Sequence, residues 1–157
     1  MQAIRGADTG PEMLLRRGLH GLGFRYRLQA RDLPGRPDLV LPKHRVVIFA
    51  NGCFWHGHGC ALFRWPATRE AFWRTKIGGN VARDARNLAA LEAQGWRIAI
   101  IWECALKGRG RLPEGAAVAR LAAWITEGGQ RIEIAAQAAT MSPALTASAS
   151  PSSSSTV

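Results

Sequence analysis

From Met13 to Gly23 the chain reads MLLRRGLHGLG, with Leu14, Leu15, Leu19 and Leu22 recurring at helical spacing on one broad face. Thr9-Gly-Pro-Glu12 stands just ahead in the form of a capping box, with Thr9 as N-cap, Glu12 three residues on and Pro11 in the tolerant first turn. These residues predict a first helix that stops near Gly23. The period then changes. FRYRLQ alternates Phe24, Tyr26 and Leu28 with polar residues, as a half-buried strand does. Pro34-Gly-Arg-Pro37 breaks the chain, and DLVLP and RVVIFA follow, joined by the turn-like Pro42-Lys43-His44. RVVIFA is β-branched, aromatic and nearly uncharged, which predicts a central strand. A helical region from about Thr68 to Gln94 is expected to divide at Gly78-Gly79, because paired glycines are poor helix interiors. Its later half, NVARDARNLAALEAQG, puts Val81, Leu88 and Leu91 on one face. WRIAIIWEC is the last and most apolar strand, and AAVARLAAWITEGG a final helix beyond the loop KGRGRLPEG. The order α-β-β-β-α-α-β-α predicts an α/β domain, a central mixed sheet with helices on its faces.

After Glu133 no charged residue occurs. A domain over residues 1–134 is therefore expected, with an Ala/Ser/Thr/Pro-rich tail over 135–157 that is expected to be disordered. The net charge of +10, nearly all of it arginine, changes the picture more than the rest of the composition does. A surface of that charge binds polyanions by releasing counterions from phosphates, and nucleic acid is the partner it predicts. The alternative is a basic surface with no special partner. Three cysteines and no apolar leader argue against a disulfide framework, and no apolar run reaches the length of a membrane span. A soluble, cytoplasmic protein with no membrane association is expected, monomeric because no heptad or interface stripe argues otherwise.

The chemistry gathers in NGCFWHGHGC, residues 51–60. Structural zinc takes four tetrahedral Cys and His ligands. The loop offers Cys53, His56, His58 and Cys60, and Cys104 follows the last apolar strand, so pairing of that strand near RVVIFA would complete a Cys3His site. Spacing leaves open which histidine binds. Cys104 would equally suit a buried apolar position. Asp38, at the head of a strand after Pro37, stands where metal-dependent nucleases of the restriction-endonuclease-like fold hold Mg²⁺ on a carboxylate, although Pro-Asp is also a common turn. No Asp/Glu-x-Lys follows on the next strand. If the chain is a nuclease, His56 is the available base. Phe54 and Trp55 are adjacent on a Gly-flanked loop, so at least one is expected to be exposed. Trp73 suits a core or a surface equally. Trp65, Trp96, Trp102 and Trp124 read as structural, and Arg83 and Asp84 as a solvated pair.

IRGADTGPE, FRYRL, LPGRPDLVLP, VVIFANGCFWHGHGC, PATREAFWRTKIGGNVARD and GWRIAIIWECAL together resemble the very-short-patch repair (Vsr) DNA mismatch endonucleases, over about Ile4 to Trp124. GCFWH with the returning WEC is the most specific part. The resemblance implies a restriction-endonuclease-like fold with structural Zn²⁺, and Mg²⁺-dependent nicking of one DNA strand 5′ of a thymine mispaired with guanine. That mismatch arises when 5-methylcytosine deaminates. It implies zinc on Cys53, His58, Cys60 and Cys104, which frees His56 for catalysis. It also implies Mg²⁺ on Asp38 and the backbone carbonyl of Ala50, Phe54, Trp55 and Trp73 as wedges in the duplex, and Glu12 near the active site. Glu12 serves equally well as a capping-box partner alone.

Two departures bear on these expectations. Familiar members read HGCFWH, with an active-site histidine where this chain has Asn51, and Asn cannot act as a cationic acid. The chain also starts just before IRGADT, so the family's DNA-contacting N-terminal arm is expected to be mostly missing. Beside the mismatch endonuclease stand two other readings, a less specific nuclease of the same fold and a non-catalytic zinc-stabilised module that binds distorted DNA. A partner cytosine methyltransferase is expected from the resemblance, and mismatch-repair proteins are candidate further partners. The residues themselves identify neither, nor the flanking recognition sequence.

Overall fold

The computed structural model describes residues 10–28 and 30–137. Helix α1 covers Gly10–Gly21, followed by strands β1 (Arg27–Leu28), β2 (Leu39–Leu41) and β3 (Val46–Asn51). Helix α2 (Glu70–Ala93) leads to β4 (Arg97–Trp102), the short α3 (Glu103–Leu106), α4 (Ala116–Glu127) and β5 (Arg131–Ile134). The five strands form one mixed sheet in the order β1-β2-β3-β4-β5, with the first two pairings antiparallel and the last two parallel. RVVIFA is its middle strand, as the apolar run predicts.

Period-2 alternation divides the core into two layers. Leu39, Leu41, Val46, Ile48, Ala99 and Ile101 face α1 and α4, packing on Leu15, Leu19, Leu121 and Ile125. Val40, Val47, Ile98, Ile100 and Trp102 face the other way, toward Leu91 of α2. The chain is therefore apolar on both faces of β2 to β4, which is why those strands read as continuous hydrophobic runs.

Three expectations change. Gly78-Gly79 does not divide the predicted helical region from about Thr68 to Gln94, because α2 is one helix through both glycines. A Cβ at either position would meet nothing within 4 Å, so the pair faces open space. Each glycine costs the helix about 1 kcal/mol against alanine. Buried Ile77 and Leu91, together with the polar ties of Asn80 and Asp84 described below, hold the helix across the gap. Among the described residues of FRYRLQ only Arg27 and Leu28 pair, while Phe24 and Tyr26 still pack on the core. Of the four leucines assigned to the first helix, Leu15 and Leu19 are buried and Leu14 and Leu22 exposed, with Leu22 one residue past the end of α1. The fifth strand, RIEI, had no counterpart in the sequence pattern. The Thr9 cap and residues 138–157 of the tail lie outside the described residues.

Candidate active site and metal centre

Strand β2 runs antiparallel to β3, so its beginning lies beside the end of β3. That geometry brings Asp38, just ahead of β2, next to Ala50. The Asp38 N–H donates to the Ile48 carbonyl at 2.9 Å, and its Oδ2 accepts the Ala50 N–H at 2.7 Å. Burial pushes the Asp38 carboxyl up from 3.8 to about 7; the Ala50 N–H opposes that shift, nearby Glu12 adds to it, and His56 and Arg16 pull it back. Glu12 is buried in α1 and accepts a 2.6 Å hydrogen bond from Arg16. It thus lies in the electrostatic field of Asp38, beyond any role in capping.

The loop after β3 turns tightly. The His56 N–H donates to Gly52, Gly57 to Phe54 and His58 to Cys53. Gly57 has φ +65°, and a Cβ there would come within 2.8 Å of Val81 and 3.1 Å of Ile77 on α2, so only glycine lets the loop reach the helix. The Asn80 side-chain amide donates to the Trp55 carbonyl at 2.9 Å. One turn further along α2, Asp84 meets His56, with Nδ1 to Oδ2 at 2.6 Å. A carboxylate only accepts, so Nδ1 carries a proton, and in the neutral ring the lone pair is then on Nε2. Asp84 is therefore no solvated partner of Arg83. It is the partner of His56 that the sequence reading missed. Asn51 closes β3 beside Trp102, and its side chain makes no hydrogen bond among the described residues.

Cys53, His58, Cys60 and Cys104 converge behind the same loop, their ligand atoms all within 4.8 Å of one another. Parallel pairing of β3 with β4 places Cys104 there. Cys104 Sγ lies 3.7 Å from His58 Nδ1, close to the roughly 3.6 Å edge of a zinc tetrahedron with bonds near 2.3 and 2.0–2.1 Å. Burial raises Cys53 above the ordinary thiol range and raises Cys104 too, while it lowers His58. Thiols held protonated beside a neutral imidazole are what a buried thiol cluster shows until a cation draws the protons off. N–H groups of Leu62 and Ala136 already point at the sulfurs of Cys60 and Cys104, as thiolates would need. The His58 ring is stacked on Trp102, centroids 4.1 Å apart and planes 7° from parallel. The cluster fits a structural Cys3His zinc. Glu103 ties it to the loop by accepting the Cys53 N–H at 3.2 Å.

On the outer side of the loop, Phe54, Trp55 and Trp73 are in mutual edge contact at 5.1–5.8 Å between centroids. Phe63 stacks on Phe54, and Trp65 meets Phe63 edge-on. Trp65 thus belongs to this aromatic group, whereas Trp102 and Trp124 are buried in the core. Trp55 is 36% exposed, and Phe54 is half-buried behind it. No helix among the described residues is long and apolar enough to cross a membrane.

Residues 1–62 match the family model described as DNA mismatch endonuclease Vsr. The chain is 49% identical over 137 residues to the DNA mismatch endonuclease Vsr of Escherichia coli K12, covering 87% of this chain and 88% of that protein. It is 50% identical over 112 residues to the type II nicking enzyme V.XorIIP of Xanthomonas oryzae pv. oryzae, covering 71% and 82%. With the type II nicking enzyme V.NmeAIP of Neisseria meningitidis it shares 41% over 109 residues, covering 69% and 78%.

Proposed function

The chain belongs to the Vsr family of DNA mismatch endonucleases and is a phosphodiester hydrolase, and from that premise we propose that it nicks one strand of duplex DNA on the 5′ side of the thymine in a T:G mismatch left by deamination of 5-methylcytosine. On this reading the domain is of the restriction-endonuclease-like type and acts on DNA in the bacterial cytoplasm. The observation that carries the reading is the His56–Asp84 pair, set in one electrostatic field with Asp38 and flanked by the exposed aromatic group.

Asp38 and the Ala50 carbonyl would hold Mg²⁺, and a carboxyl raised by burial and by a second carboxylate is the donor set that a hard dication relieves. Bound there, Mg²⁺ supplies a Lewis acid for the phosphate oxygens and a lowered pKa for water. His56 takes the proton of the attacking water at Nε2, and Asp84 fixes the tautomer and stabilises the imidazolium that results. The Asn51 amide donates to a phosphate or leaving oxygen without supplying a proton. Glu12 adds negative charge behind Asp38. Zinc on Cys53, His58, Cys60 and Cys104 holds the loop and takes no part in the reaction. Phe54, Trp55 and Trp73 enter the duplex at the mismatch, where unstacking costs less than in paired DNA. The exposed arginines bind phosphates without regard to sequence.

The test is nicking of an end-labelled duplex with one T:G mismatch beside its T:A twin, in the presence of Mg²⁺. A single nick 5′ of the mispaired thymine, absent from the twin, is expected. Equal cutting of both would point to a less specific nuclease. A zinc-loaded protein that shifts the T:G duplex yet leaves it intact would be the binding module instead.

A further inference from the structure

The aromatic group does not end at Trp73. Phe72 meets Trp73 edge-on at 5.1 Å and 83°, and at 44% exposure it is more open than Trp55. The Arg69 guanidinium also lies over the Phe72 ring, 4.3 Å from its centroid. Arg69 is exposed, and its side chain makes no ion pair or hydrogen bond among the described residues. Arg74 differs, since it stacks on Trp65 but is also paired with Glu70. The backbone of Arg69 adds a second oddity. It is the N-cap of α2 at φ 55° and ψ 39°, with no side-chain cap bond. That position ordinarily takes Ser, Thr, Asp or Asn in an extended conformation, and a left-handed conformation favours glycine. Neither residue serves the fold where it stands, for the ring is not buried and the arginine neither caps nor pairs.

Helix geometry sets their distance from the chemistry. From Arg69 to Asp84, the partner of His56, α2 rises roughly 22 Å, and Trp73 lies between them. That span corresponds to about six nucleotides of one strand. With Trp73 at the mismatch, Arg69 and Phe72 stand beyond it, on the side away from the bond that His56 serves.

We infer that Arg69 and Phe72 form a second DNA contact, the guanidinium on a backbone phosphate and the ring against the adjoining sugar and base, on the duplex arm across the mismatch from the nick. This contact rests on the mismatch-nicking reading for its position but not for its chemistry. Arginine supplies the phosphate charge, and the exposed ring offers a stacking platform indifferent to base identity. Its role is to hold the far arm while the wedge opens the step beside it.

The test measures equilibrium binding of the full zinc-loaded chain to a fluorescein-labelled T:G duplex over a KCl titration, with Ca²⁺ replacing Mg²⁺ to prevent cutting. Arg69→Gly suits the left-handed backbone, so its melting temperature is expected to hold or rise. Its affinity is expected to fall about 10-fold at low salt, with the salt slope reduced by about 0.9. Phe72→Ala weakens binding by about 10-fold with the slope unchanged, and Arg69→Lys keeps the slope. Trimming the far arm to about three base pairs should erase the difference between wild type and Arg69→Gly, while trimming the near arm should not. Equal affinity and slope for wild type and Arg69→Gly, or a difference that survives trimming of the far arm, overturns the contact. A wild type with no preference for T:G over T:A would count against the mismatch reading alone, because the slope difference can be read on either duplex.

Discussion

Asp38→Asn should stabilise the protein at alkaline pH and leave it nearly unchanged at acid pH. Burial raises the Asp38 carboxyl from 3.8 to about 7, so between those values the native state keeps a proton that the unfolded chain has released. Native stability attributable to this group is fully present below pH 3.8 and is lost as pH rises through about 7. At 1.36 kcal/mol per pH unit the full displacement is roughly 4 kcal/mol, and because the carboxyl keeps some contact with water we take about 2 kcal/mol as the effect. Asn carries no charge, fills the same space and still offers an oxygen to the Ala50 N–H. Urea denaturation of zinc-loaded wild type and variant, without added Mg²⁺, at pH 4.5 and pH 8.5 measures the difference. Titration of the zinc site is common to both chains and cancels in it. The variant is expected to be more stable at pH 8.5 by about 2 kcal/mol, or roughly 5–8 °C in Tm, with most of that gain absent at pH 4.5. Added Mg²⁺ at pH 8.5 should raise wild type toward the variant and leave the variant unmoved. A stability difference that is flat with pH, or a variant less stable at pH 8.5, would refute the account of Asp38 as a carboxylate strained by burial and awaiting a cation.

His56→Ala should lower single-turnover nicking by about 10²–10⁴-fold with little change in duplex affinity, and Asp84→Asn should give a smaller loss of the same kind; unchanged rates would remove the pair from the chemistry. Cys104→Ser should abolish stoichiometric zinc by atomic absorption and destabilise the domain on the order of 5 kcal/mol, whereas a full zinc complement in that variant would refute the Cys3His site. Gly78→Ala and Gly79→Ala should each stabilise the fold by about 1 kcal/mol in thermal melts, since both are helical and open to solvent; destabilisation by either would mean that the glycines are required where they stand.

The strands of the core were legible because the pattern that identifies them is also the force that buries them. RVVIFA and WRIAIIW are apolar on both faces and lie in the middle of the sheet, covered from both sides. RIEI was not legible, because an edge strand of four residues carrying Arg131 and Glu133 has almost no apolar signal of its own. Gly78-Gly79 misled for a physical reason. Local propensity penalises the pair, but Ile77, Asn80, Asp84 and Leu91 fasten the helix on both sides of it through contacts distant in sequence. That one error hid another. On a continuous helix Trp73, Ile77, Asn80 and Asp84 follow spacings of four, three and four and share one face, so Asp84 falls beside the loop that Ile77 and Asn80 already hold. With the helix broken at the glycines that alignment disappears, and Asp84 reads as a surface charge. The three cysteines of the cluster were legible from the loop's spacing and the parallel return of Cys104, but that spacing left His56 and His58 equivalent, and only the resemblance and then the fold separate them.

The loop itself makes opposite demands on neighbouring residues. Cys53 must face inward to the sulfur cluster, Trp55 outward, His56 sideways to α2 and His58 inward again. A short loop without regular structure has no reason to hold four such directions against the entropy of its backbone, which costs roughly 1–2 kcal/mol per residue fixed. The backbone bonds of Gly52 and Cys53 to His56 and His58 fix one turn, and Gly57 lets that turn press on Ile77 and Val81. Those ties act on the backbone, while the inward side chains have the Trp102 stack on His58 and burial of Cys53. A tetrahedral metal on the cluster would constrain both ends at once, and a third point at Cys60 would stop the segment from rotating. On the proposed reading, His56 and the aromatic group would then be displayed by one clamp whose ligands are other residues. Removal of zinc by a chelator should then lower His56-dependent nicking and mismatch binding together, and loss of only one of the two would refute the clamp.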